Sequence, residues 1–170
     1  MVVFEKKLRS METLEKDFLT HLSQYNAMIH KLCRLYRDSV EDREDLFQEI
    51  VFQLWKSYPN YKGDAKISTW MYRIALNTAI ASFRKKSTTI NYSPELPDFA
   101  EEQQSDEPEI RQERLFAALK LLDDSEKALI ALYFEELSYH EIAEITGINE
   151  NYVGVKLNRI KAKIKTLLNK

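Results

Sequence analysis

The chain has 170 residues, enough for one ordinary domain or two small ones, with three glycines, four prolines and 31% charged residues. Runs rich in Leu, Ile, Ala, Glu, Lys and Gln favour helix, and glycine-bounded, alternating β-branched segments are missing, so the composition points to an all-α protein. The net charge of −2 divides unevenly: residues 1–86 carry 15 bases and 11 acids, residues 87–110 seven acids and no base, and residues 111–170 ten bases and nine acids.

Residues 87–110 also hold three of the four prolines and no sustained apolar period, which reads as a flexible acidic linker. The expected organisation is two small helical domains, 1–86 and 111–170, on either side of it. No apolar stretch reaches the ~18–20 residues that span a bilayer. Met1 to Ser10 lacks the apolar centre of a secretory signal, so no membrane insertion and a cytoplasmic location are expected. The single cysteine, Cys33, has no partner for an internal disulfide and reads as a buried thiol on a helix.

In the first domain, helices are predicted near 12–36, 41–57 and 67–86, with Pro59 and Gly63 interrupting the pattern between the last two. The segment Asp42 to Trp55 sets six acids or amides beside an apolar face of Leu46, Phe47, Ile50, Val51 and Leu54. Asp45, Gln48 and Glu49 lie away from the centre of that face.

On the next helix, Ile67, Met71, Ile74 and Thr78 form the predicted buried stripe. Lys66, Trp70, Arg73, Asn77 and Arg84 share a neighbouring face. Five bases and no acid occur between Lys66 and Lys86, and such a face can grip a backbone and stack an unpaired base.

In the second domain a helix is predicted over about 110–121. Asp123 with Glu126, and Ser138 with Glu141, have capping-box spacing and start helices near 124 and 139. Gly147 suits a left-handed turn, Asn149 can cap the following helix, and Ile142, Ile145, Ile148 and Val153 can fill the core between the two. This is the helix-turn-helix plan, whose second helix enters the major groove.

On that last helix Val153, Leu157, Ile160 and Ile164 form the predicted buried stripe. Asn151, Val155, Asn158 and Ala162 point the other way, with Tyr152 and Arg159 on one flank. Asparagine suits adenine and Val155 a thymine methyl. Lys156, Arg159, Lys161, Lys163 and Lys165, with no acid after Glu150, suit phosphate contact. For Lys163 and Lys165 a solvated helix end is an equal reading.

Catalysis is not expected. There is no Gly-rich phosphate loop, no nucleophile–base pair and no metal-spaced ligand set, and His21, His30 and His140 form no cluster, so no metal or cofactor is implied.

Taken together, the motifs resemble an extracytoplasmic-function (ECF) sigma factor of bacterial transcription initiation. Asp42 to Trp55 resembles that family's polymerase-binding helix, Tyr61 to Lys86 its loop and helix for the −10 element, and Tyr139 to Lys163 its −35-reading helix-turn-helix. The resemblance implies that Asp45, Gln48 and Glu49 dock on the clamp helices of the polymerase β′ subunit. It implies that Tyr61, Lys62, Gly63, Asp64 and Lys66 form a loop that captures a flipped −10 base. Trp70, Arg73, Asn77 and Arg84 would support the melted strand, and Asn151, Tyr152, Val155, Lys156, Asn158 and Arg159 would read the −35 element. Core RNA polymerase (β′ clamp and β flap), promoter DNA and an anti-sigma factor are the partners implied. Val51, Leu76, Ala81, Gly154 and Val155 depart from the family's common residues, so the resemblance does not carry a promoter sequence with it.

Two other readings stay open at this point: a stand-alone helix-turn-helix regulator, and a helical adaptor that makes protein contacts only. Against the first, two small basic faces on a net-acidic chain would bind DNA weakly, since affinity follows the phosphates neutralised.

Overall fold

The computed structural model describes residues 2–87 and 108–169, with side chains over 11–82 and 108–169. Seven α-helices and no strand occur among the described residues: α1 (Val2–Tyr36), α2 (Val40–Ser57), α3 (Ile67–Ser87), α4 (Pro108–Lys120), α5 (Asp124–Phe134), α6 (Tyr139–Thr146) and α7 (Glu150–Leu168). A 3-10 turn, Tyr58–Asn60, follows α2. The chain forms two compact units, Met1–Ala79 and Ile80–Lys170. The acidic segment 88–107 lies outside the described residues, as does the side chain of Arg84. Among the described residues no helix is long and apolar enough to cross a membrane.

In the first unit, α1 buries Met28, Ile29, Leu32, Cys33, Leu35 and Tyr36, the i, i+4, i+7 stripe of an amphipathic helix. Burial pushes the Cys33 thiol up to about 11, which keeps it neutral at physiological pH. The turn into α2 is closed by Arg43, which donates to the carbonyls of Arg37 at 3.2 Å and Asp38 at 2.6 Å. Ser39 then caps α2 by accepting from the Asp42 N–H at 3.0 Å. Helix α2 buries Leu46, Ile50 and Leu54. Phe47 and Val51, expected in the core, are half-buried at its edge, with Phe47 stacked on His30 at 4.5 Å.

Helix α3 departs from the expected rotation. Its buried residues are Thr69, Met71, Tyr72, Ala75, Leu76 and Ala79, whereas Ile67, Ile74 and Thr78 are half-buried. The stripe is therefore turned by about 100° about the helix axis from the one predicted. Ala75 and Ala79 are small enough for close backbone approach, and Tyr72 reaches Tyr25 of α1 edge-on at 6.4 Å. The turn takes the core to the side opposite Lys66, Trp70, Arg73 and Asn77.

The second unit follows the sequence more closely. Helix α4 begins at Pro108, a residue suited to a first helical turn, so 108–110 belong to α4 rather than to the linker. Both capping boxes form: Asp123 accepts from the Glu126 N–H at 2.8 Å while Glu126 accepts from the Asp123 N–H at 3.0 Å, and Ser138 and Glu141 do likewise. Gly147 ends α6 in the left-handed region at φ 74°, and Asn149 caps α7. The predicted stripe Val153, Leu157, Ile160 and Ile164 is buried, together with Ile142 and Ile145; Ile148 is half-buried.

Burial raises the Asp123 carboxyl, but the Glu126 and Ser125 hydrogen bonds and nearby Lys156 outweigh it and hold the group below its ordinary 3.8. A depressed folded value means that the cap's charge-linked stability is complete above the ordinary value and is lost as pH falls through the lower, folded one. Asp123→Ala is expected to cost about 1 kcal/mol at neutral pH. In full-chain thermal melts the gap from the parent protein should close below about pH 4; a gap that persists unchanged into acid would contradict this assignment.

Candidate nucleic-acid interfaces

Three surfaces stand out: one on α2, one on the 61–66 loop with α3, and one on α7. On α2, Asp45, Gln48 and Glu49 are all exposed and share one face. The face continues with Phe52, 56% exposed, and Trp55, 39% exposed. Helix spacing alone (i, i+3/i+4, i+7) would have revealed Phe52 as their neighbour. Glu49 accepts a hydrogen bond from Gln53 at 2.8 Å, which orders part of the surface. The result is an acidic patch with an exposed aromatic end, suited to a partner that is both basic and apolar.

The second surface combines the 61–66 loop with α3. Gly63 takes a positive φ of 80°, and Lys62, Gly63, Asp64 and Lys66 are exposed. The loop is closed on itself: the Tyr61 hydroxyl donates to the Ala65 carbonyl at 2.7 Å, and the Tyr61 N–H donates to the Tyr58 carbonyl at 3.0 Å. Trp70 is half-buried, 5.3 Å from the Tyr61 ring and 6.1 Å from Tyr58. Arg73 and Asn77 are exposed beside it. The structure therefore brings Tyr61, Lys66, Trp70, Arg73 and Asn77 together.

Tyr58 is the residue that sequence reasoning missed. It is buried, its hydroxyl lies 2.8 Å from His21 Nδ1, and its ring touches Phe18 at 5.2 Å as well as Tyr61 at 6.5 Å and Trp70. Phe18 in turn meets Trp55 at 5.0 Å. One aromatic cluster thus underlies both the end of α2 and the loop–α3 surface. Burial, with Asp17 and Tyr61 nearby, raises the Tyr58 phenol, so it stays protonated. The one signal in sequence is the density of aromatics from Trp55 to Trp70, which periodicity analysis passes over.

The third surface is the outer face of α7. Asn151, Tyr152, Val155, Asn158 and Arg159 are exposed, opposite the buried stripe. The lysines behave differently from expectation. Lys163 donates to Glu126 at 2.6 Å, Lys161 sits 3.8 Å above the Tyr133 ring, and Lys156 reaches Ser125 at 3.4 Å while lying 5.3 Å over the Tyr152 ring. Lys161 and Lys163 therefore tie α7 to α5.

At Gly154 a Cβ would meet the Tyr139 ring at 3.2 Å, so the glycine makes room for a side chain of α6. His140 is exposed as expected, 3.4 Å from Glu150 and 3.7 Å from Glu144. No group able to hold a metal ion occurs among the described residues.

Comparison with known proteins agrees with this arrangement. Residues 22–89 match the Sigma-70 region 2 family and residues 112–164 the Sigma-70 region 4 family. The sigma factor YlaC of Bacillus subtilis (strain 168) is 31% identical over 142 residues, covering 77% of this chain and 80% of that protein. SigV of the same organism is 28% identical over 153 residues, covering 89% and 91%.

Two solved structures share the fold. The sigma factor RpoE of Bartonella quintana, in complex with the anti-sigma factor NepR, has a TM-score of 0.69 at 17% identity, covering 91% of this chain and 98% of that one. CnrH, in complex with the cytosolic domain of CnrY, has a TM-score of 0.68 at 19% identity, covering 91% and 89%. With both sigma regions present in chain order and relatives matched over most of their length, the chain belongs to the RNA polymerase sigma factors of the ECF group, transcription initiation factors that direct core polymerase to promoters.

Proposed function

We propose a division of this work among the three surfaces. Asp45, Gln48 and Glu49, extended by Phe52 and Trp55, dock on the polymerase clamp. The Tyr61–Lys66 loop takes a base flipped from the −10 strand, while Trp70, Arg73 and Asn77, with Arg84 about two turns further along α3, hold the strand beside it. Asn151, Tyr152, Val155, Lys156, Asn158 and Arg159 read the −35 duplex. The domains divide as 1–86 and, with the whole of α4 included, 108–170 around an acidic tether. The chain acts in the cytoplasm and leaves catalysis to the polymerase, whose β flap receives the second domain. An anti-sigma factor is proposed as its regulator, on the analogy of the two solved complexes.

The observation that carries this reading is the geometry of α3. Its core stripe and its basic–aromatic face lie on opposite sides, with Arg73 and Asn77 exposed and Trp70 half-buried beside Tyr58 and Tyr61. A single strand is the ligand that such a face suits, because each base offers a π surface to an aromatic and each phosphate a charge to a base.

Run-off transcription with core polymerase is the direct test, and promoter-specific transcripts are expected. Trp70→Ala should lower open-complex formation by about tenfold or more, the scale of one lost base–aromatic stack. Duplex −35 binding by the same holoenzyme should be retained. Equal loss of both, or of neither, would contradict the assignment.

Tyr58→Phe keeps the ring contacts and removes the bond to His21. It is expected to lower stability by about 1 kcal/mol and to slow opening, followed by 2-aminopurine fluorescence at the −10 element. Affinity for core polymerase should be unchanged. Opening at the parental rate would show that the loop does not depend on this bond.

A further inference from the structure

The reading face of α7 is unusual in what it lacks. Three of the five cations between Lys156 and Lys165 are turned toward the protein: Lys156 toward Ser125 and the Tyr152 ring, Lys161 onto Tyr133, Lys163 onto Glu126. What remains along the centre of the exposed face is uncharged: Asn151, Val155, Asn158 and Ala162. Val155 is 46% exposed and Tyr152, one turn before it, 48% exposed. At i and i+3 these two are neighbours and form an apolar spot flanked by two amides.

The major groove offers one apolar group to such a spot, the C5-methyl of thymine. It offers an asparagine the paired donor and acceptor of adenine N6 and N7. Guanine, whose usual partner is a bidentate arginine or lysine, would have to be met from the edges of this face, by Arg159 on its flank or by Lys165 two turns beyond Asn158. Gly154 supports the same geometry. Its place is filled by the Tyr139 ring, so no longer side chain at 154 competes with Val155 for the groove floor.

We infer that Val155, backed by Tyr152, is a specificity-determining residue of this sigma factor that reads a thymine methyl in the −35 element. Lys161 and Lys163 of the same helix bind back to α5. The inference rests on the proposed −35 role of α7 and adds the chemical group recognised. It follows that the −35 element contains thymine opposite Val155, and that affinity depends on the methyl itself rather than on the base's hydrogen-bonding edge.

Deoxyuridine differs from thymidine by that methyl alone, which makes the test a double-mutant cycle. A −35 duplex is first selected by the holoenzyme from a randomised library, then synthesised with thymine or with uracil throughout. The parent holoenzyme should bind the uracil duplex about fourfold more weakly per contacted methyl, the equivalent of about 0.8 kcal/mol for one buried methyl group. Val155→Ala, a substitution that helix propensity favours at an exposed site, should bind both duplexes with nearly equal affinity.

Equal binding of thymine and uracil duplexes by the parent would overturn the inference while leaving the −35 role intact, since a motif had been selected. So would a thymine preference that Val155→Ala retains in full. Selection of no motif at all would instead remove the −35 reading on which the inference stands, and the inference with it.

Discussion

The Tyr58 ring is the point at which the N-terminal unit is held together for function. It touches Phe18 of α1, Tyr61 of the loop and Trp70 of α3, and its hydroxyl is fixed by His21. Aromatic contacts of this kind add about 0.5–1.5 kcal/mol each beyond the area they bury. Their larger consequence here is geometric. Trp70 cannot turn without disturbing Tyr58 and Tyr61, so the face offered to a strand is set before the strand arrives. A preset face spares the ordering cost of immobilising each side chain on binding. Because Phe18 also meets Trp55, the same cluster supports the exposed end of α2. One packed group thus underlies the surfaces proposed for polymerase and for melted DNA.

A helix can serve a ligand only with the face its core does not use, and the two functional helices meet this constraint in different ways. On α3 the buried stripe sets small residues, Ala75 and Ala79, between larger ones, and Arg73 and Asn77 lie exposed on the other side with Trp70 half-buried beside them. On α7 a regular aliphatic stripe does the same work, and the flanking lysines bind back to α5. Glu126 is shared: the oxygen that closes the α5 capping box also receives Lys163. The start of α5 and the middle of α7 are therefore joined through one carboxylate, which fixes the reading helix against its support.

Much of this was legible in sequence where the controlling interactions are local. Asp123 and Glu126, Ser138 and Glu141, Gly147 and Asn149 act within four residues of one another, and each does in the structure what its spacing implies. The α7 stripe was legible because its apolar residues are uniformly large. On α3 the same periodicity misled: Ile67 and Ile74 outweigh Ala75 and Ala79 in any apolar count, yet it is the alanines that are fully buried. The ties from Lys161 to Tyr133 and from Lys163 to Glu126 span too much sequence for spacing to reveal. Tyr58 escaped notice because it lies in a 3-10 turn, where no repeat marks a buried side. The helices that carry the three motifs form where the sequence put them, but the surroundings of Trp70, Lys161 and Lys163 were set by partners distant in sequence.

The central claim is that the side of α3 opposite its core meets single-stranded DNA while the uncharged side of α7 meets duplex. An experimental structure of the holoenzyme on an open promoter tests it most directly. The account predicts Trp70, Arg73 and Asn77 against the unpaired −10 strand, Val155 facing the major groove of the −35 element, and Lys163 still on Glu126. Trp70 and Arg73 turned to solvent, with the strand held elsewhere, would contradict it.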